Sequence, residues 1–86
     1  MPRISAFYGI VIYLYWRDHN PPHFHAEYGE DQALILISNG GLLAGSLPPR
    51  ALRLVRVWLG IHRDEIQRAW TRVFRHEDPG TIEPLP

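Results

Sequence analysis

The stretch Asp18-His19-Asn20-Pro21-Pro22-His23-Phe24-His25-Ala26-Glu27 decides how this chain is arranged. Each proline fixes its own φ, removes a backbone donor and keeps the preceding residue out of the helical region, so the double proline predicts a stiff connector. The residues after it alternate polar and apolar, which predicts a strand over about 23–28. A period of two places His23, His25 and Glu27 on one face of that strand. This face is the candidate site.

Strands are predicted on both sides of this motif. The run Phe7–Trp16 is aromatic and β-branched, which predicts one long strand whose even-numbered aliphatic side faces the core. The continuous apolar run Ala33–Ile37 indicates a central strand. Asn39-Gly40-Gly41 is typical of a hairpin turn, because Asn and Gly accept positive φ, and a short strand at 42–44 follows it. We therefore expect an antiparallel meander of three to four strands.

A long C-terminal helix is predicted from Arg50 to about Arg75, where apolar residues recur at spacings of three and four. The stripe passes Gly60 without a change of phase, which favours one helix. A helical glycine costs about 1 kcal/mol against alanine, so a bend near Gly60 stays open. The fold class is α+β, with the meander packed against this helix. Residues 1–78 form a single domain, and 79–86 form an extended C-terminal tail.

The helix also carries a candidate partner surface. A second apolar line lies on the flank opposite the main stripe, and a helix that is apolar on two sides is usually buried on two sides. The net charge of the chain is zero, yet 50–76 holds seven arginines against two acids. Arginine suits bidentate contact with carboxylate or phosphate, although codon usage explains the absence of lysine more simply. The candidate partner-binding residues are Leu54, Val57, Ile61, Arg53, Arg68 and Arg72. Coverage of this line by the chain's own tail is the open alternative.

Length and composition exclude several classes of protein. Eighty-six residues suit one small domain, and 45% apolar residues favour a packed core over disorder. The chain has no cysteine, hence no disulfide or thiolate site. Its apolar runs are far shorter than the roughly 20 residues of a membrane helix, and its N-terminus lacks a signal-peptide pattern. We expect a cytoplasmic protein that has no membrane partner.

Several motifs resemble a small bacterial family known as domain of unknown function 4160. The resemblance covers about residues 1–75 and rests on Met1-Pro2-Arg3-Ile4-Ser5, Phe7, Gly9-Ile10, Ile12, the 18–26 stretch, Gly45-Ser46-Leu47-Pro48, Trp58, His62 and Trp70. Glu30-Asp31 and Pro49 are local departures outside the central motif. The resemblance implies no established activity. Members of the family resemble one half of toxin–antitoxin-like gene pairs, which implies a protein partner more than a reaction.

Three interpretations compete for the histidines of the motif. In the first, His19, His23 and His25 bind zinc or another divalent metal, with Glu27 as a fourth ligand or a supporting partner. In the second, His23 and His25 are catalytic, as general acid and base on an RNA phosphodiester. The zero net charge and the lack of a basic stripe beside the motif speak against RNA. In the third, the imidazoles bond backbone carbonyls and the motif is a rigid corner.

We therefore expect a small protein-interaction module, one component of a toxin–antitoxin-like pair, that binds a protein partner or its own copy. The alternative is a His-based ribonuclease or divalent-metal-binding hydrolase centred on His19, His23 and His25.

Overall fold

A computed structural model describes all 86 residues as five antiparallel strands followed by one helix. The strands are neighbours in chain order, so the sheet is a simple meander. The elements are β1 Arg3–Phe7, β2 Ile10–Tyr13, β3 His23–Tyr28, β4 Asp31–Leu36, β5 Leu42–Gly45 and α1 Pro49–Phe74. The predicted α+β meander with a long C-terminal helix is confirmed, with one strand more than expected.

The additional strand arises from a tight turn at Tyr8-Gly9. Tyr8 has φ 50° and Gly9 has φ 81°, and two successive positive φ values are typical of a hairpin turn that matches the twist of its strands. The chain reverses there, so that Phe7 pairs with Ile10. The prediction of one long strand over Phe7–Trp16 is wrong, because a tyrosine at positive φ carries no signal of a turn.

The core lies between one face of the sheet and α1. Alternate residues of β2 and β3, including Ile12, Phe24 and Ala26, are fully buried on this face. Trp58 of α1 is also fully buried, and its ring lies 5.8 Å from that of Phe7 and 5.7 Å from that of Phe24 between centroids. Because side chains alternate along a strand, His23 and His25 point away from Phe24, yet both are buried, and the His23 ring lies 5.4 Å from that of Trp70 in α1.

The helix α1 is continuous but bends two residues beyond Gly60. His62 has non-helical dihedral angles, φ −115° and ψ 20°. Its Nδ1 atom lies 2.6 Å from Glu65 Oε1, and its ring lies 5.7 Å from that of Trp58. His62 is therefore engaged within the helix and does not approach the histidines of the motif.

The C-terminal residues pack back onto the domain. The Ile82 amide donates a hydrogen bond of 2.9 Å to the Ile4 carbonyl of β1, and Ile82 is buried. The Trp58 indole donates a bond of 2.9 Å to the Glu83 carbonyl. The tail thus lies beside β1 and satisfies the one polar atom of the central tryptophan, which a buried indole requires.

Candidate functional site

The connector between β2 and β3 places a carboxylate over two imidazoles of β3. Asp18 Oδ2 lies 2.8 Å from His25 Nε2 and 2.9 Å from His23 Nε2. The exposed fractions of the three side chains are 13% for Asp18, 11% for His25 and 1% for His23. We call these three residues the Asp–His cluster. Their candidate ligand atoms all lie within 4.8 Å of one another.

His23 is oriented by the double-proline connector. Its Nδ1 lies 2.8 Å from the carbonyl oxygen of Pro21, whose peptide bond to Asn20 is cis. A carbonyl oxygen only accepts, so Nδ1 carries the proton, and Nε2 of the neutral ring holds a lone pair. Although Nε2 lies 2.9 Å from Asp18 Oδ2, the alignment is not that of a hydrogen bond, and this buried nitrogen has no hydrogen-bond partner.

The His25 ring is stacked on one face and hydrogen-bonded at one edge. Its ring stacks on Tyr15, with centroids 4.0 Å apart and planes at 29°. Its Nε2 hydrogen-bonds Asp18 Oδ2, while its buried Nδ1 has no partner. The stacking therefore fixes the direction in which Nε2 points.

Asp18 is the anionic member of the cluster. Burial raises the pKa of its carboxyl group, but the hydrogen bond from His25, the closeness of the His23 imidazole and the hydrogen bond from the His19 amide outweigh that effect. The net result is a pKa below the ordinary value for aspartic acid. The carboxylate is therefore ionised at neutral pH and faces both Nε2 atoms as an acceptor.

Two of the four predicted metal ligands come together, and two lie apart. The His19 side chain is 88% exposed, and its ring centroid lies 6.2 Å from that of His23. Glu27 accepts a hydrogen bond of 3.1 Å from Gln32 and does not belong to the cluster. Asp18 takes the carboxylate role that the sequence pattern assigned to Glu27. The pattern of side chains held no signal for Asp18, because its position depends on how the connector turns.

The arrangement offers two kinds of chemistry. Two imidazole nitrogens and one carboxylate oxygen are ligands that first-row divalent metals accept. The same imidazoles can also act as a general acid and base near neutral pH. The cluster is not sealed, because a cavity beside it is lined by Met1, Tyr15, Trp16, Arg17, Asp18 and His25.

The predicted partner residues lie on α1, away from the cluster. Val57 and Ile61 are 51% and 61% exposed, and the C-terminal tail does not cover them. Leu54 is half-buried and packs against the core. With 3.6 residues per turn, one side of the helix carries the exposed set that we call the outer face. It comprises Arg53, Val57, Ile61, Arg68 and Arg72.

The arginines of α1 have no acidic partner within the chain. All four close ion pairs of the structure involve histidine, and none involves arginine. Two arginines bond the β4–β5 hairpin instead: Arg56 Nε donates to the Gly40 carbonyl at 2.9 Å, and Arg63 Nε donates to the Ile37 carbonyl at 3.0 Å. The outer-face arginines make no side-chain hydrogen bond, so their charges are uncompensated.

The helix does not have the character of a membrane span, since no segment of the required length in the structure is sufficiently apolar.

Comparison with known proteins supplies the family. A family model described as Domain of unknown function (DUF4160) matches residues 9–71, a range that contains the whole Asp–His cluster and most of α1. No curated protein and no solved structure matches the chain. The matched range is well over half of the 86 residues. The chain therefore belongs to the domain of unknown function 4160 family.

Proposed function

We propose that this protein is a cytoplasmic protein-interaction module, one component of a toxin–antitoxin-like pair, that binds an acidic protein partner through the outer face of α1. The observation that carries the proposal is the exposure of Val57 and Ile61, 51% and 61%, among arginines that have no acidic partner in the chain. Exposed apolar side chains framed by charge are typical of a protein-binding surface.

Charge selects the kind of partner. The outer face carries Arg53, Arg68 and Arg72, and the acids nearest to it on the helix are Asp64 and Glu65, of which Glu65 is bonded to His62. A surface with this excess of positive charge attracts an acidic partner and disfavours a basic one. Arginine also forms planar bidentate contacts with carboxylates and contributes strongly to interfaces. An acidic segment with two or three apolar side chains fits this face best.

The test is co-expression of the tagged chain with the product of the adjacent gene. We expect the wild-type chain to co-purify with that product, and Ile61→Glu to lose it, because the change places a charge in the apolar centre of the interface. Leu43→Glu is the matched control, since Leu43 is 42% exposed on β5 and lies outside the outer face. Retention of the product by Ile61→Glu would remove the outer face from the proposal.

Light scattering of the purified chain tests self-association separately. A monomer is expected, because the uncompensated arginines of two outer faces would repel each other. A dimer that Ile61→Glu dissociates would replace the acidic partner by a second copy of the chain. Failure of the wild-type chain to co-purify with the adjacent gene product would remove the toxin–antitoxin-like part.

A second candidate function is a His-based or metal-dependent hydrolase that acts on RNA, and the Asp–His cluster favours it. One imidazole would take the proton of the attacking 2′-hydroxyl while the other protonates the leaving oxygen. Arg17, which lines the neighbouring cavity, would contact the phosphate. Cleavage of RNA that His23→Ala and His25→Ala abolish, but His19→Ala does not, supports this candidate. Equal activity in all three variants would exclude it.

A further inference from the structure

We infer that Asp18, His23 and His25 form a binding site for one first-row divalent metal ion, with zinc as the leading candidate. The inference deepens the metal-dependent form of the second candidate function, on which it rests for its role, but its test reads metal binding and not RNA cleavage, so either can fail alone. The inference is carried by the closeness of Asp18 Oδ2 to both Nε2 atoms and by the absence of a hydrogen-bond partner for the buried His23 Nε2.

The tautomer of His23 is fixed by the Pro21 carbonyl, to which its Nδ1–H donates. In the neutral ring, the Nε2 lone pair and the Asp18 carboxylate then meet at 2.9 Å as two acceptors. This contact is repulsive unless a cation lies beside both atoms. Metal-binding histidines commonly donate their other ring N–H to a backbone carbonyl, which fixes the tautomer and the ring orientation. The Pro21 carbonyl has that role here.

The alignment of His23 Nε2 with Asp18 Oδ2 favours a bound metal ion over a shared proton. A proton between Nε2 and Oδ2 would give an aligned hydrogen bond, yet His23 Nε2 is not aligned for one despite the 2.9 Å separation. The lone pair thus points beside the oxygen and not at it. A ligand of a metal ion beside both atoms would point in this way. His25 Nε2, which donates a hydrogen bond to Asp18 Oδ2, has to release its proton before it binds the same ion. Ligands about 2.0–2.2 Å from a tetrahedral zinc ion lie roughly 3.4 Å apart. The separations of 2.8 and 2.9 Å between Asp18 Oδ2 and the two nitrogens therefore have to widen by about half an ångström when the ion binds.

The three side chains of the cluster limit both the kind of metal ion and the number of protein ligands. Two imidazoles and one carboxylate favour zinc, iron, cobalt, nickel or manganese, whereas magnesium and calcium prefer all-oxygen sites. Only three side chains belong to the cluster, because His19 is exposed and Glu27 bonds Gln32. Three protein ligands leave at least one position of a zinc ion open, as in catalytic sites and unlike closed structural sites. The adjoining cavity, lined by Tyr15 and Arg17 among others, gives access to that position.

Folding does not require the metal. The sheet and α1 enclose a continuous core that includes Phe24 and Trp58, and the cluster adjoins this core where the His23 ring lies 5.4 Å from that of Trp70. Tyr15, which stacks on His25, and the Pro21 carbonyl orient the two imidazoles without a metal. We expect the metal to bind a folded apoprotein and to raise its melting temperature.

The experiment uses the full chain, purified without a histidine tag and stripped with a chelator. Titration with Zn²⁺ by calorimetry, and with Co²⁺ by visible absorption, should give one ion per chain and the absorption bands of a nitrogen- and oxygen-ligated Co²⁺. Mg²⁺ should not compete. Asp18→Asn and His25→Gln should each lower the affinity at least about tenfold, since loss of a direct ligand exceeds the effect of losing a supporting partner.

Two histidines outside the cluster provide controls for metal binding. His19→Ala and His76→Ala alter exposed histidines and should bind the ion as the wild-type chain does. Because His23 is 1% exposed, His23→Ala could unfold the chain, so Asp18→Asn, checked by circular dichroism, carries the test. Binding that is weaker than about 1 mM, or that His19→Ala removes and Asp18→Asn does not, would overturn the inference. So would imidazole ¹⁵N shifts that show a doubly protonated His23 unchanged by Zn²⁺.

Discussion

The Asp–His cluster and the outer face of α1 differ in where their polar groups lie. In the cluster, a carboxylate and two imidazoles with at most 13% exposure share a few ångströms of buried space. On the outer face, arginines lie in water without acidic partners, and apolar Val57 and Ile61 are more than half exposed. The Asp–His cluster thus has polar groups in a buried position, and the outer face has apolar groups in an exposed one.

This difference indicates ligands of different size. A buried nitrogen without a partner costs stability, so the lone pair of His23 Nε2 is best explained by a small cation that reaches it. Exposed apolar side chains cost the folded state little, and they gain free energy only when a larger partner covers them. We therefore propose an ion as the ligand of the cluster and a protein as the ligand of the outer face. The following predictions test this contrast, from the largest expected effect to the smallest.

Trp58 and Val57 are neighbours in sequence, but Trp58 is buried and Val57 is about half exposed. Trp58→Ala should lower the free energy of unfolding by about 3–5 kcal/mol, because it leaves a cavity between Phe7 and Phe24. Val57→Ala should change it by no more than about 0.5 kcal/mol, as is usual for a surface site. Urea unfolding monitored by far-ultraviolet circular dichroism measures both values. A large loss for Val57→Ala would show that the outer face belongs to the core.

In the absence of metal, Asp18→Asn is predicted to lower the free energy of unfolding less than Asp18→Ala does. Asp18→Ala should lower the free energy of unfolding by about 1–3 kcal/mol, since His25 Nε2 loses its buried partner. Asp18→Asn should lower it by less than Asp18→Ala, because an amide can donate to the His23 Nε2 lone pair. Urea unfolding in the presence of a chelator compares the two variants. A smaller loss for alanine than for asparagine would contradict the lone-pair assignment.

Arginines of α1 are predicted to fall into two groups. Arg56→Ala should lower the free energy of unfolding by about 1 kcal/mol, because the buried Gly40 carbonyl loses its donor. Arg53→Ala should change it by no more than about 0.5 kcal/mol, because Arg53 is exposed and unpaired. Thermal unfolding of the two variants under identical conditions makes the comparison. Equal losses would mean that the uncompensated arginines also serve the fold.

Ile61→Glu should have the smallest effect on the isolated chain. Ile61 is 61% exposed, and glutamate is at least as good a helix former as isoleucine, so the expected change in unfolding free energy is within about 0.5 kcal/mol. Its effect should appear only in partner binding. Chemical unfolding of the chain alone provides the measurement, and a loss above 1 kcal/mol would assign Ile61 a structural role.

Local patterns predicted most of the fold. The three-and-four spacing of apolar residues gave α1, and the alternation after Pro22 gave the strand that holds His23 and His25. The turn at Tyr8-Gly9 was missed, because a tyrosine with positive φ depends on its context in the hairpin and has no compositional signal. The docking of Ile82 beside β1 was missed for a related reason, since it is a contact between residues far apart in the chain.

The candidate site was predicted only in part. The period of a strand is sufficient to bring His23 and His25 together, because it depends on neighbouring residues alone. The position of Asp18 depends on how the connector turns around Asn20 and Pro21, which a pattern of side chains does not encode. The same uncertainty led to the expectation that His19 is a ligand, although its side chain is 88% exposed.

A crystal structure of the chain grown with Zn²⁺, with data collected at the zinc absorption edge, tests the proposed metal site most directly. We expect one anomalous peak per chain, at about 2.0–2.2 Å from Asp18 Oδ2, His23 Nε2 and His25 Nε2. The Nδ1 atom of His23 should still donate to the Pro21 carbonyl. A peak at His19 or His76 alone, or no peak with the cluster unchanged, would contradict the proposed metal site.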